Sequence, residues 1–243
     1  MKLSIEITIP ILNEEATLNN QVRKLHRFVD QNLSDFGRIT IILADNGSTD
    51  ATPSIARLLE QELVNIHYIR LEERGVGRAL KASWRQSMSE IVGYMDLDLA
   101  TDLSYLKPAF EKLCSDQADI VTGSRLADGA KVIGRSFIRN FTSRCFNLII
   151  KLLFSTSFSD GMCGFKFLKK SSLENIMGAG AISDGWFFAT EVLIAGEYLG
   201  YRIVDLPVEW TDDPNSKVKI GKLTIEYLKA MQVLRRRLPT RCK

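Results

Sequence analysis

Asp96 and Asp98 close the run Gly93-Tyr94-Met95-Asp96-Leu97-Asp98. An apolar strand that ends in two carboxylates spaced two apart would present both on one side, because side chains on a strand alternate faces. Hard oxygen ligands placed this way suit Mg²⁺ or Mn²⁺ held jointly with the phosphates of a substrate. Asp-x-Asp alone is equally at home at a solvated strand end or a helix N-cap, so its neighbours decide its meaning. Three further motifs end strands in the first half of the chain. In Pro10-Ile11-Leu12-Asn13-Glu14-Glu15, Asn13 can cap a helix whose dipole favours the acids beside it. In Ala44-Asp45-Asn46-Gly47-Ser48-Thr49-Asp50 a turn and a capped helix start account for everything except Asp45. An acid at that last strand position can accept hydrogen bonds from a nucleotide base or ribose. Gly75 and Gly77 precede a helix, where bare backbone can approach a phosphate or sugar closely; a plain loop explains them too.

A second set lies downstream. Arg135, Arg139 and Ser143 are spaced at i, i+4 and i+8 and would share one helical stripe. Ile138, Phe141, Cys145, Leu148 and Leu152 form a separate apolar stripe. Arginine suits bidentate grip of a phosphate, and a solvated basic face is the plain alternative. Phe137, Phe141 and Phe154 would meet either a lipid interface or the protein core.

These residues need a scaffold, and the hydrophobic pattern supplies one. Strand patterns at 5–11, 38–44, 64–71 and 91–95 alternate with helical patterns at 16–32, 52–62 and 77–88. This order predicts an α/β fold with a mostly parallel sheet covered by helices on both faces. Ligands of such sheets bind beyond the C-terminal strand ends. Later, 120–122 reads as a strand, about 135–154 as a long helix, 160–166 as a loop, 187–199 as a helix, 201–208 as a strand and 222–238 as a helix. The absence of repeats or low-complexity linkers points to a single domain.

The chain of 243 residues has ordinary composition for a soluble globular protein, with a net charge of +3. From Lys217 onward it carries nine Lys or Arg against one acid. This basic end would meet an anionic membrane surface, a phosphorylated ligand or nucleic acid. No nucleic-acid motif accompanies it, so nucleic acid is not an expected partner. The four cysteines show no paired spacing and read as reduced thiols in a cytoplasmic protein, and two histidines leave little room for His-based zinc or triad chemistry. The start does not read as a signal peptide, and no apolar run reaches the length of a spanning helix.

In combination, the order and spacing of Pro10-x-x-Asn13-Glu14, Asp45-x-Gly47-Ser48-x-Asp50, Gly75-x-Gly77 and Asp96-x-Asp98 resemble the family-2 glycosyltransferases. Gly123-Ser124-Arg125, Arg139, Ser143, Asp160-x-x-Cys163-Gly164-Phe165-Lys166, Trp186-x-Phe188-x-x-Glu191, Pro207-Val208-x-Trp210 and Asp213-Pro214-x-Ser216-Lys217 are similar to the dolichyl-phosphate mannose synthases and polyprenyl-phosphate glycosyltransferases. The resemblance implies a GT-A (Rossmann-like) fold over residues 1–216, with 217–243 as a basic amphipathic helix and tail of the same domain. It implies inverting hexose transfer from a UDP- or GDP-sugar to a dolichyl or undecaprenyl phosphate, with Mg²⁺ or Mn²⁺. By the same resemblance Asp96 and Asp98 are the catalytic, metal-bearing pair. Pro10, Asn13, Glu14, Asp45, Gly75 and Lys217 surround the donor nucleotide, and Arg125, Arg139 and Ser143 bind the acceptor phosphate. A sugar-hydroxyl acceptor, or a non-catalytic nucleotide-sugar-binding subunit, stays open. Three positions depart from the pattern: Val76 replaces a lysine, Ala100 a third metal-side ligand and Ala189 an aspartate. A peripheral position at the cytoplasmic membrane face, or a membrane partner subunit, is expected.

Overall fold

The structure is a computed structural model and describes residues 3–212 and 220–238, the last segment by backbone alone over 220–224. Strands β1 (Leu3–Ile11), β2 (Gly37–Asp45), β3 (Ile66–Arg70) and β4 (Ile91–Met95) alternate with helices α1 (Leu18–Asn32), α2 (Thr52–Glu62) and α3 (Val76–Gln86). Then follow α4 (Leu106–Cys114), β5 (Ile120–Ser124), β6 (Lys131–Ile133), α5 (Phe137–Phe154), β7 (Phe165–Lys169), α6 (Lys170–Gly178), α7 (Phe188–Tyr198), β8 (Ile203–Pro207), β9 (Glu209–Thr211) and α8 (Ile220–Arg237). Seven strands form one sheet in the order β3-β2-β1-β4-β7-β5-β8, and β6 pairs with β9 beside it. All neighbours in the large sheet are parallel except β7, which runs antiparallel to both β4 and β5.

Strand alternation builds the two sides. Ile5, Ile7, Ile9 and Ile11 of β1 enter one core with Leu18, Val22 and Leu25 of α1. Each such buried side chain contributes about 2 kcal/mol. On the opposite side of β1, Glu6 and Thr8 lie under α3, where Ser83 Oγ donates to Glu6 Oε1 at 2.6 Å. The second core gathers Leu80 and Trp84 of α3, Phe146, Ile150 and Phe154 of α5, much of α7, and Tyr227, Met231 and Leu234 of α8. Phe154 is therefore core rather than a lipid-facing residue, and Lys217 falls outside the described residues.

The pattern misses β7, because 160–166 reads as a loop. In Phe165-Lys166-Phe167-Leu168 the phenylalanines alternate into the first core, while the lysine between them is itself buried. A charged residue at an inward position conceals the strand period. The consequence is spatial: Met95 of β4 stands opposite Phe165 of β7. The start of β7 thus lies beside the end of β4, and the Asp160–Gly164 loop lies against the carboxylate pair.

Candidate active site

The C-terminal ends of β1, β2, β3 and β4 share one edge, and chain order reverses between β1 and β4. This is the switch point where open α/β sheets bind ligands. Asn13 follows β1 with φ of 55°. Its side-chain oxygen accepts from Thr49 N at 2.8 Å, and its own N–H donates to Ser48 Oγ at 2.9 Å. Glu14 N donates to Thr52 Oγ1 at 2.7 Å. The ends of β1 and β2 are thereby tied into one surface, with Pro10 partly exposed beside it.

Asp45 is buried and engaged. Ser48 N donates to its Oδ1 at 2.8 Å, while Tyr68 Oη and Arg70 Nη1 reach Oδ2 at 2.8 and 3.3 Å. The carboxylate organises the β2–β3 edge, and any nucleotide would meet it through this network. Next to it, Asn46 is buried, and its Oδ1 has no hydrogen-bond partner among the described residues. By sequence Asn46 is a turn residue; a buried, unused acceptor is a signal that only the structure carries.

Gly75 and Gly77 do permit a close approach, and the chain's own backbone makes it. A Cβ at Gly75 would lie 2.3 Å from Asp184 O, and one at Gly77 2.3 Å from Ser183 O. Gly77 N and Arg78 N donate to Gly185 O and Asp184 O, both at 3.1 Å. Buried Glu191 on α7 holds this segment by accepting from Ile182 N and Ser183 N at 2.9 and 2.8 Å. The first turn of α3 is thus spent on residues 183–185, a partner that no local pattern announces.

The carboxylate pair differs from expectation in its backbone. β4 ends at Met95, so Asp96 and Asp98 sit in the following turn rather than on the pleat. Leu99 adopts φ of 52°, and Ala100 N donates to Asp98 Oδ1 at 3.0 Å. Asp98 is exposed and Asp96 lies deeper. Burial, then the charge of Asp98, push the Asp96 carboxyl up to about 7, although Lys166 and Arg125 pull it down. That mutual repulsion is a fit for a divalent cation, which two hard oxygen donors would hold with water or substrate phosphate completing its shell. Among the described residues no group of three or more His, Cys, Asp or Glu side chains could hold a metal.

Gly164 makes room for Asp96. A Cβ at Gly164 would lie 1.8 Å from Asp96 Oδ2 and 2.3 Å from its Cγ. Gly164→Ala is therefore expected to force the carboxylate out of place and lower kcat by about a hundredfold or more, at a stability cost of about 1–3 kcal/mol. Steady-state rates beside a thermal melt check this.

Across from the pair, Arg125 leaves the end of β5. Its Nε and Nη2 donate to Asp160 at 2.7 and 3.1 Å, its backbone N–H adds a third bond at 3.2 Å, and its guanidinium lies 4.9 Å over the Trp210 ring. Burial alone would raise Asp160; the paired Arg125 more than offsets this and holds it well below the usual carboxylate range. Arg125, expected at the acceptor phosphate, is thus committed to an internal pair. Lys166 is buried nearby and donates to Cys163 O, and burial lowers its pKa.

The stripe on α5 is partly as read. Ser136 caps the helix by accepting from Arg139 N at 3.3 Å, so Arg135 precedes the helix instead of belonging to it. Arg139 Nη1 donates to Asp212 Oδ2 at 2.8 Å. Asn147 Nδ2, one further step down the stripe, reaches Asp160 Oδ1 at 3.4 Å. Arg135 Nε and Nη1 and Ser143 Oγ are buried atoms with no hydrogen-bond partner among the described residues. Burial, then the charge of Arg125, pull Arg135 down to about 10, a penalty that a bound anion would relieve.

Comparison with known proteins follows the same outline. The model of the family described as Glycosyl transferase family 2 matches residues 6–177. Glycosyltransferase AglD of Haloferax volcanii is 30% identical over 90% of this chain, which spans 35% of that protein's length. A dolichyl-phosphate beta-glucosyltransferase of Dictyostelium discoideum is 27% identical over 93% of this chain and 72% of its own. Glucosyl-3-phosphoglycerate synthase from Mycobacterium tuberculosis, solved with Mn²⁺, uridine diphosphate and glucosyl-3-phosphoglycerate, superposes with a TM-score of 0.71 at 17% identity. The superposition covers 98% of this chain and 81% of that one, and the shared architecture is the GT-A fold.

Proposed function

This chain belongs to glycosyl transferase family 2, and on that premise we propose that it transfers a hexose from a nucleotide sugar to a polyprenyl phosphate with inversion. The observation that carries the acceptor is the set of unpartnered buried donors, Arg135 Nε and Nη1 with Ser143 Oγ. Asn147 Nδ2 donates to Ser143 O and reaches Asp160 Oδ1, which links this side of α5 to the Arg125–Asp160 pair. Buried donors without partners cost free energy, and an anion with several oxygens uses them all. Relatives named dolichyl-phosphate beta-glucosyltransferases support a prenyl carrier for that anion.

In this reading an acceptor phosphate oxygen attacks the anomeric carbon as the bond to the donor diphosphate breaks, so one C–O bond replaces another and the nucleoside diphosphate leaves. Arg135, Arg139 and Ser143 hold and aim the phosphate, with Arg139 exchanging its contact to Asp212 for the ligand. A phosphate monoester is already ionised near neutral pH, so no side chain needs to act as base. Asp160 could not serve, because its oxygens are committed to Arg125. Asn13, Glu14, Asn46 and the Asp45 network form the nucleotide side, with Lys217 proposed as a further diphosphate contact. Asp96 and Asp98 would hold Mg²⁺ or Mn²⁺, which supplies positive charge against the departing diphosphate.

The test is incubation with labelled UDP- and GDP-sugars and geranyl phosphate, with Mn²⁺ or EDTA. Label in the prenyl phosphate with Mn²⁺ supports the reading, and transfer only to sugar hydroxyls overturns it. Arg135→Ala and Arg139→Ala should each raise the KM for the prenyl phosphate by about tenfold or more while leaving the KM for the donor unchanged.

A further inference from the structure

We propose that β6 and the outer face of α5 dock on an anionic lipid bilayer, so that the phosphate-binding face of the same helix opens at head-group level. The proposal rests on the prenyl-phosphate reading above and names the surface through which such an acceptor arrives.

The two sides of α5 have opposite environments. Ser143, Phe146, Asn147, Ile150 and Phe154 are buried, whereas Phe137 is 82% exposed, Ile138 69%, Phe141 61% and Leu152 75%. Val132 and Ile133 on β6, just before the helix, are also exposed. Single exposed apolar residues are ordinary; a continuous series along a strand and the following helix marks an interaction surface. The Phe137 and Phe141 rings stack one turn apart with centroids 6.5 Å from each other, which presents a flat aromatic wedge.

Charge selects the occupant. The segment 131–151 carries Lys131, Arg135, Arg139, Arg144 and Lys151 and no acid. Arg144 and Lys151 are exposed, and long basic side chains beside an apolar face can reach phosphates while their stems stay in the acyl boundary. Exposed aromatics bordered on the same face by the exposed Arg144 and Lys151 suit a helix lying in the plane of an anionic interface. Among the described residues no helix is long and apolar enough to cross a membrane, so this face would lie on the bilayer. The inner side of the same helix contributes Arg139 and Ser143 to the proposed acceptor site. Docking through the outer side would therefore set that site at the level of a lipid phosphate.

Flotation with vesicles of phosphatidylcholine, with or without phosphatidylglycerol, tests the surface. The wild type is expected to float with the anionic vesicles and to be released by salt. The double variant Phe137→Ser, Phe141→Ser should partition about tenfold or more weakly. It should keep its melting temperature and its transfer to geranyl phosphate in solution, while transfer to undecaprenyl phosphate in vesicles falls along with binding. A wild type that ignores anionic vesicles overturns the proposal and points to a protein partner for this face. A double variant that floats as well as the wild type, or that also loses transfer to geranyl phosphate, overturns it too. If neither prenyl phosphate is glycosylated, the acceptor reading fails, and flotation alone still decides the surface.

Discussion

Asp98→Ala is expected to lower kcat for hexose transfer by about a thousandfold or more, equivalent to at least about 4 kcal/mol of transition-state stabilisation, with the melting temperature nearly unchanged. Asp98 is exposed in the turn after β4, so its removal opens no cavity. Negative charge at this position repels Asp96, although Lys166 and Arg125 offset part of that repulsion. On the proposed reading, a cation shared by the two carboxylates would relieve that repulsion. Removing one carboxylate would then weaken the hold on that cation and the positive charge it would supply against the leaving diphosphate. Asp98→Asn separates charge from shape: it keeps an oxygen able to accept from Ala100 N and should still lose most of the rate. Residual activity in either variant should no longer respond to EDTA. Full Mn²⁺-dependent transfer by Asp98→Ala would remove the pair from the mechanism.

The parallel half of the sheet was legible because apolar runs, capped helix starts and strand-terminal acids agreed with one another. The boundaries of α2 and β4 match the hydrophobic pattern residue for residue. The site was legible as a collection of motifs and much less so as geometry. Asp45 reads as a ligand contact because an acid at a strand end is conspicuous, yet its oxygens are engaged by Ser48, Tyr68 and Arg70, the last two from another strand. Glycines before a helix signal close approach without saying of what, and at Gly77 the partner is a backbone segment more than a hundred residues away in sequence. Arg125 and Asp160 were each visible, but not as each other's partner. That pairing depends on β7 entering the sheet antiparallel, and the buried Lys166 concealed β7. Arg135 was visible in the stripe; its unpartnered donors come from long-range packing, to which periodicity is blind.

Asp160→Asn is expected to destabilise the fold by about 3–5 kcal/mol, lowering the melting temperature by about 6–20 °C for a chain of this size. Both partners are inside, with side-chain exposures of 7% for Arg125 and 0% for Asp160, so solvent screens the pair little. Neutralising one member leaves a guanidinium desolvated over Trp210 without its counter-charge. The pH dependence has a definite sign. Arg125 holds the Asp160 carboxyl below its ordinary range, so this stabilisation is present above the unfolded carboxylate pKa of about 3.9 and is lost as pH falls toward the lower folded value. Wild type and Asp160→Asn should therefore differ most near neutral pH and converge under acid, as denaturant melts across that range would show. The double variant Arg125→Met, Asp160→Leu removes both charges and should recover much of the stability. If Arg125 is only a platform, that variant still binds the prenyl phosphate through Arg135, Arg139 and Ser143, with a KM within a few fold of wild type. If Arg125 leaves Asp160 to grip the phosphate, the stable double variant loses acceptor binding while its donor KM holds. The same protein thus distinguishes a buried pair that shapes the site from one that opens to take the substrate.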